Sequence, residues 1–165
     1  MKARILVWLV ALFCCHNASF AQKEFVNTSV RLSGHPRILL QKGEEKALKK
    51  VIMKDAVWKD IHQSLVDEAG EIVKLPLNER IKTGRRLLSV SRENLRRIFI
   101  LSYAYRMTGK SEFLKRAESE MLKAASFSDW NPSHFLDVGE MTMALAIGYD
   151  WLYPCLLYTS PSPRD

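Results

Sequence analysis

The chain has 165 residues, a length typical of one globular domain with a hydrophobic core of its own. Hydrophobic residues make up 47% and charged residues 26% of the sequence, which argues against a low-complexity or membrane-embedded chain. The formal net charge of +7 is compatible with an acidic partner, and equally with a solvated basic surface.

Residues 1–21 have the pattern of a secretory signal peptide. Lys2 and Arg4 precede a short apolar run, and the small residues Ser19 and Ala21 stand before a cleavage site at Gln22. A membrane anchor is the alternative, but the run is shorter than the roughly 20 residues that a spanning helix needs. We therefore predict export to the periplasm or the extracellular space, no stable membrane span, and an extended leader over residues 22–33.

Residues 155–165 do not continue the pattern that precedes them. Their sequence, CLLYTSPSPRD, matches the translation of a transposase adapter used in DNA library preparation. We expect this segment to be an artefact and residues 34–154 to be the N-terminal part of a larger domain. Without both end segments the charge falls from +7 to +5, because Lys2 and Arg4 are removed while Arg164 and Asp165 cancel.

All three cysteines lie in the two end segments, at positions 14, 15 and 155. Residues 22–154 therefore contain no disulfide framework, no thiolate nucleophile and no cysteine metal site. The histidines do not have the spacing of a helical zinc site, and no phosphate-binding loop is present. We predict no metal ligands, no cofactor site and no nucleic-acid partner for this segment.

Apolar residues recur at intervals of three and four along most of residues 34–154, which predicts helices. The segment GHPRILL, residues 34–40, precedes them as an apolar strip, and Pro36 favours an extended conformation at His35. The predicted helices cover residues 43–68, 92–107, 111–125 and 135–153. No stretch alternates between polar and apolar residues as a strand does, so the predicted fold class is all-α.

The predicted helices alternate between inner and outer positions. Residues 92–107, with Ser91 as N-cap and Gly109 as stop, are apolar on more than one side, and residues 135–153 are apolar almost all round. Residues 111–125 have one apolar and one charged side, as a surface helix does. The pattern indicates a series of helical hairpins.

A polar constellation stands at the start of the last predicted helix. His134, Asp137 and Glu140 are spaced by three and follow one side of the helix. They are candidates for lining a substrate groove and binding sugar hydroxyls. The alternative is structural: Asp137 satisfies the helix start, and Glu140 pairs with Arg96 or Arg97.

Two further groups of side chains are candidates for contacting a substrate. Arg85 and Arg86 match the geometry of a carboxylate or sulfate, although a solvated or ion-paired pair of arginines gives the same pattern. Aromatic side chains are able to stack on sugar rings, but those inside the apolar helix fit a core equally well. These aromatic residues are Trp130, Tyr149, Trp151 and Tyr153.

Three segments together resemble the start of the heparinase II/III-like polysaccharide lyases. They are HPRILL before a long helix, the helix–TGK–helix segment YAYRMTGKSEFLKRAESEML, and DWNPSHFLDVGEMTMALAIGYDWLY, the most specific of the three. The resemblance covers nearly all of residues 34–154, and the order and spacing of the segments carry it.

The resemblance implies an incomplete (α/α) toroid followed by β-sandwich domains, in an enzyme that cleaves an acidic, uronic-acid-containing polysaccharide by β-elimination. Tyrosine and histidine act as base and acid in that chemistry, and the substrate carboxylate is neutralised by other groups. In this family those residues lie further along the chain, so the resemblance assigns no catalytic residue to residues 34–154.

Two other functions remain open on the sequence alone. An (α/α)-toroid glycoside hydrolase needs carboxylates opposed across a cleft, which Asp137 and Glu140 on one helix do not supply. A non-catalytic, glycan-binding helical scaffold is the other alternative, although no repeat of fixed length is visible.

Overall fold

The computed structural model describes residues 34–156. The predicted signal peptide and leader, and residues 157–165 of the adapter match, lie outside this range. The described residues form helices connected by turns and loops and contain no strand, so the predicted all-α class is confirmed. The helices are α1 (Glu45–Lys54), α2 (Ala56–Lys74), α3 (Leu88–Thr108), α4 (Ser111–Ala125) and α5 (Phe135–Leu156).

The first predicted helix, residues 43–68, is two helices. Asp55 is extended, and its carboxylate accepts hydrogen bonds from the N–H groups of Val57 and Trp58, which caps the start of α2. Apolar residues continue at helical spacing across Asp55, so periodicity alone joined the two helices. Gly70 does not interrupt α2, which ends at Lys74 beside Pro76.

Helix α3 lies at the centre and contacts each of the other helices. Its Leu101 packs with Phe113 of α4 in one hydrophobic cluster, and its Tyr103 packs with Trp151 of α5 in a second. The helix begins at Leu88 rather than at the predicted N-cap Ser91, which is buried in the first turn. It ends as predicted at Gly109, which has a left-handed φ of 75°.

Helix α4 is the predicted amphipathic helix, with Phe113, Ala117 and Ala124 buried on its inner side. The fully buried Glu120 accepts hydrogen bonds from Arg97 of α3 at 3.0 Å and from Arg116 of its own helix at 2.7 Å. Both arginines also donate to the carbonyl oxygen of Pro76. This network therefore fixes the connection between α2 and α3 against the outer helix.

Helices α3 and α5 run parallel, since residues further along α3 contact residues further along α5. Arg92 contacts Glu140 near their starts, and the Arg106 guanidinium lies over the Trp151 ring near their ends, 5.1 Å from its centroid. Between these pairs, Gly148 lies so close to Ile98 that a Cβ placed there would be 2.6 Å from Ile98 Cγ2. The glycine thus permits the close approach of the two inner helices.

The composition of α5 predicted a helix that is covered on all sides, but the structure leaves one side exposed. Phe135 is 82% exposed, Leu136 55%, Met143 50% and Tyr149 50%. We call the side of the helix formed by these four residues the open face of α5. Within residues 34–156, no helix combines the length and the apolar character needed to cross a bilayer.

Candidate functional site

The predicted site residues gather where α3 and α5 begin. A tight turn precedes α3, with hydrogen bonds in both directions between the backbones of Thr83 and Arg86. The loop 126–134 precedes α5. Because α3 and α5 run parallel, the turn and the loop lie at the same end of the helices, and Asp137 joins them.

Asp137 is 1% exposed and accepts two hydrogen bonds through Oδ2. The N–H of Leu87, just before α3, and Asn131 Nδ2 each lie 2.7 Å from that oxygen. Asn131 Nδ2 also donates to the carbonyl oxygen of Arg85 at 2.9 Å. The carboxylate therefore fixes the turn and the loop, and it supports the start of α3 rather than that of its own helix.

The surroundings of Asp137 stabilise its ionised form. Burial alone would raise the pKa of this carboxyl, but hydrogen bonds from Asn131 and Leu87 and the charges of His134 and Arg86 outweigh burial. The net result is a pKa below the ordinary value for aspartate. Asp137 is thus a permanently charged positioning group at neutral pH.

His134 and Arg86 face a small open pocket of about 110 Å³ beside Asp137. Leu88, Phe135 and Leu136 complete its lining. Arg86 is exposed and His134 is partly exposed, so both polar side chains are accessible to a solute. Arg86 has the guanidinium geometry that binds carboxylate or sulfate oxygens.

Glu140 lies one turn further along α5 and does not join this pocket. Its Oε1 is 3.0 Å from Nε of Arg92, whereas the sequence predicted Arg96 or Arg97 as the partner. Arg96 binds Glu93 and Glu68 instead, and Arg97 binds Glu93 and the buried Glu120. The expected pairing of Glu140 with an arginine is confirmed, but the partner is Arg92 rather than Arg96 or Arg97.

The structure also brings together His35, Arg37 and Asp150, which were not among the candidates, beside the candidate Tyr153. His35 Nδ1 lies 2.5 Å from Oδ1 of the buried Asp150, and Arg37 Nη2 lies 2.5 Å from His35 Nε2. Because a guanidinium only donates, Nε2 accepts, and Nδ1–H donates to Asp150. The ring also stacks on Tyr153, with 4.1 Å between centroids.

The backbone completes the binding of Asp150. The N–H groups of Arg37 and Ile38 both lie 2.8 Å from Oδ2, and Trp151 Nε1 donates to the carbonyl oxygen of Ile38 at 2.7 Å. Burial would raise the pKa of Asp150, but these N–H groups and His35 lower it below its ordinary value. The segment before α1 is therefore held on the last turns of α5.

The two clusters lie at opposite ends of α5, since Asp150 follows Asp137 by thirteen helical positions, which corresponds to roughly 20 Å. Among residues 34–156 no three His, Cys, Asp or Glu side chains gather as metal ligands would. Comparisons with protein-family models and with curated proteins found no match, so the resemblance to heparinase II/III-like lyases stays a prediction.

Proposed function

We propose that this chain is the N-terminal part of an exported polysaccharide lyase whose α/α toroid cleaves an acidic polysaccharide by β-elimination. One observation supports this function most directly. The segments HPR and YDWLY, which both carry the resemblance, are bound to each other through His35 and Asp150. The two segments on which the resemblance rests therefore form one structural unit.

The arrangement of the helices also supports the proposal. Parallel inner helices α3 and α5 alternate with the antiparallel outer helix α4, which is the repeating unit that a toroid requires. The open face of α5 offers a further helix an apolar surface on which to pack. Arg86, just before α3, and His134, just before α5, supply a positive and a hydrogen-bonding group to one pocket, which supports a preference for an acidic chain.

The test is to recover the continuing gene, express its complete product, and incubate it with heparan sulfate, alginate and a neutral polysaccharide. Ultraviolet absorbance reports the unsaturated uronide, and a reducing-end assay reports every cleavage. We expect both signals to rise together on an acidic polysaccharide only, and the 165-residue chain alone to be inactive. New reducing ends without absorbance would indicate a hydrolase, and the absence of both signals would indicate a scaffold. Either result would refute the proposal.

A further inference from the structure

The loop before α5 carries a second concave surface that the proposed function does not use. This shallow groove has a volume of about 280 Å³ and shares no lining residue with the pocket at Arg86 and His134. All of its lining residues except Asp129 are apolar. They are Ala125, Phe127, Asp129, Trp130, Pro132 and Val138.

The indole ring of Trp130 is held in a fixed position in this groove. Its Nε1–H donates to the carbonyl oxygen of Ala124 at the end of α4, at 3.0 Å. The only polar atom of the side chain is therefore satisfied by the protein, and the rest of the ring is an apolar surface. A ring that is already ordered loses little conformational entropy when a ligand stacks on it.

The polar side of the groove is formed by an ion pair. Arg80 Nη2 donates to Asp129 Oδ1 at 2.7 Å, and the N–H of Asn131 donates to the same oxygen at 2.7 Å. The other oxygen, Oδ2, accepts no hydrogen bond from any residue in the described range. The carboxylate side chain is 45% exposed, so Oδ2 is available to a hydroxyl group.

We propose that this groove is a glycan subsite that binds one pyranose ring of the acidic polysaccharide. A pyranose has an apolar C–H face and a rim of hydroxyl groups, which match the Trp130 ring and the free oxygen of Asp129. The volume is close to the lower limit of the roughly 300–1,000 Å³ typical of drug-sized ligands, which favours a single ring. The inference rests on the proposed function, since it names a subsite for the same substrate.

The experiment measures binding of tetrasaccharides from heparan sulfate, alginate and pectin to the full chain by isothermal titration calorimetry. Trp130→Ala removes the stacking surface, and Ala125→Trp fills the groove without removing any contact. We expect each substitution to weaken binding about tenfold or more, the size of effect expected for a buried aromatic anchor. Trp58→Ala is the matched control, because Trp58 is 47% exposed on α2, away from the groove, and should bind as the unchanged chain does.

Unchanged affinity in both groove variants, or no binding of any of the three tetrasaccharides, would overturn the subsite. The calorimetric readout does not depend on cleavage, so it separates the two proposals. Binding that depends on Trp130 in a complete gene product without lyase activity would refute the proposed function alone. Lyase activity with binding that is independent of Trp130 would refute the subsite alone.

Discussion

His35 and Asp150 are separated by 115 positions in the sequence, and their side chains lie 2.5 Å apart. The contact joins the segment before α1 to the last turns of α5. Asp150 is 2% exposed and accepts from two backbone N–H groups as well as from the imidazole. A single carboxylate therefore satisfies three partly buried donors of the segment before α1.

Replacing Asp150 with Ala should be strongly destabilising. The substitution leaves those three donors unsatisfied, which we expect to lower the free energy of unfolding by on the order of 3 kcal/mol. Asp150→Asn keeps one acceptor oxygen and should cost less. Urea denaturation measures both, with Asp60→Ala as the control because Asp60 is exposed on α2. A loss for Asp150→Ala no larger than that of the control would contradict this prediction.

Because of Glu93, the free energy of unfolding should depend on pH in the acid range. Hydrogen bonds from Arg96 lower the pKa of Glu93, burial raises it, and a hydrogen bond from Arg97 lowers it further. The net change in pKa is from 4.5 to about 2. Because the folded-state pKa is the lower one, the stabilisation is fully present above pH 4.5 and disappears as the pH falls toward 2. Asp137 and Asp150, whose pKa values are also lowered, act in the same direction.

The measurement for Glu93 is the free energy of unfolding from pH 7 down to pH 2. Glu93→Gln should be less stable than the unchanged chain at pH 7, and the difference should shrink as the solution becomes more acidic. Glu71→Gln serves as control, since the Glu71 side chain is 71% exposed and pairs only with an exposed lysine. A difference for Glu93→Gln that stays constant over this range would show that the ion pairs do not stabilise the ionised carboxylate.

Two glycines of α5 should respond oppositely to substitution by alanine. A Cβ on Gly148 would lie 2.6 Å from Ile98 Cγ2 and 2.8 Å from Met121 Sδ, so Gly148→Ala should cost about 1–3 kcal/mol of stability. Gly139 has no such neighbour within 4 Å, and Gly139→Ala should stabilise the helix by up to about 1 kcal/mol. Thermal unfolding followed by circular dichroism compares them, and a stabilising Gly148→Ala would mean that the inner helices pack less closely.

Helical periodicity was sufficient to predict the fold class and most of the helices. It recovered α4 at its observed ends, because one side of this helix is apolar and the other charged. It missed the break at Asp55, where apolar residues continue in phase on both sides of an extended residue. It also placed the start of α3 too late, since the helix begins at Leu88, three residues before the predicted cap Ser91.

The candidate site was predictable only where its residues are close in sequence. His134 and Asp137 lie one helical turn apart, and the structure brings them to one pocket. The partner of Glu140 depends on the register between α3 and α5, and local spacing contains no information about that register. His35 and Asp150 are even further apart in the sequence. Nothing in the sequence indicated that they pair, except that both lie in segments that carry the resemblance.

The parallel orientation of α3 and α5 has an electrostatic consequence at the end where both begin. Each helix has a macrodipole with a positive end equivalent to about half an elementary charge at its N-terminus. The two positive ends lie side by side, next to the turn that contains Arg85 and Arg86. Helix α4, which connects the two helices in the sequence, points the other way. Both dipoles therefore favour the ionised form of Asp137, whose carboxylate lies at the start of both helices.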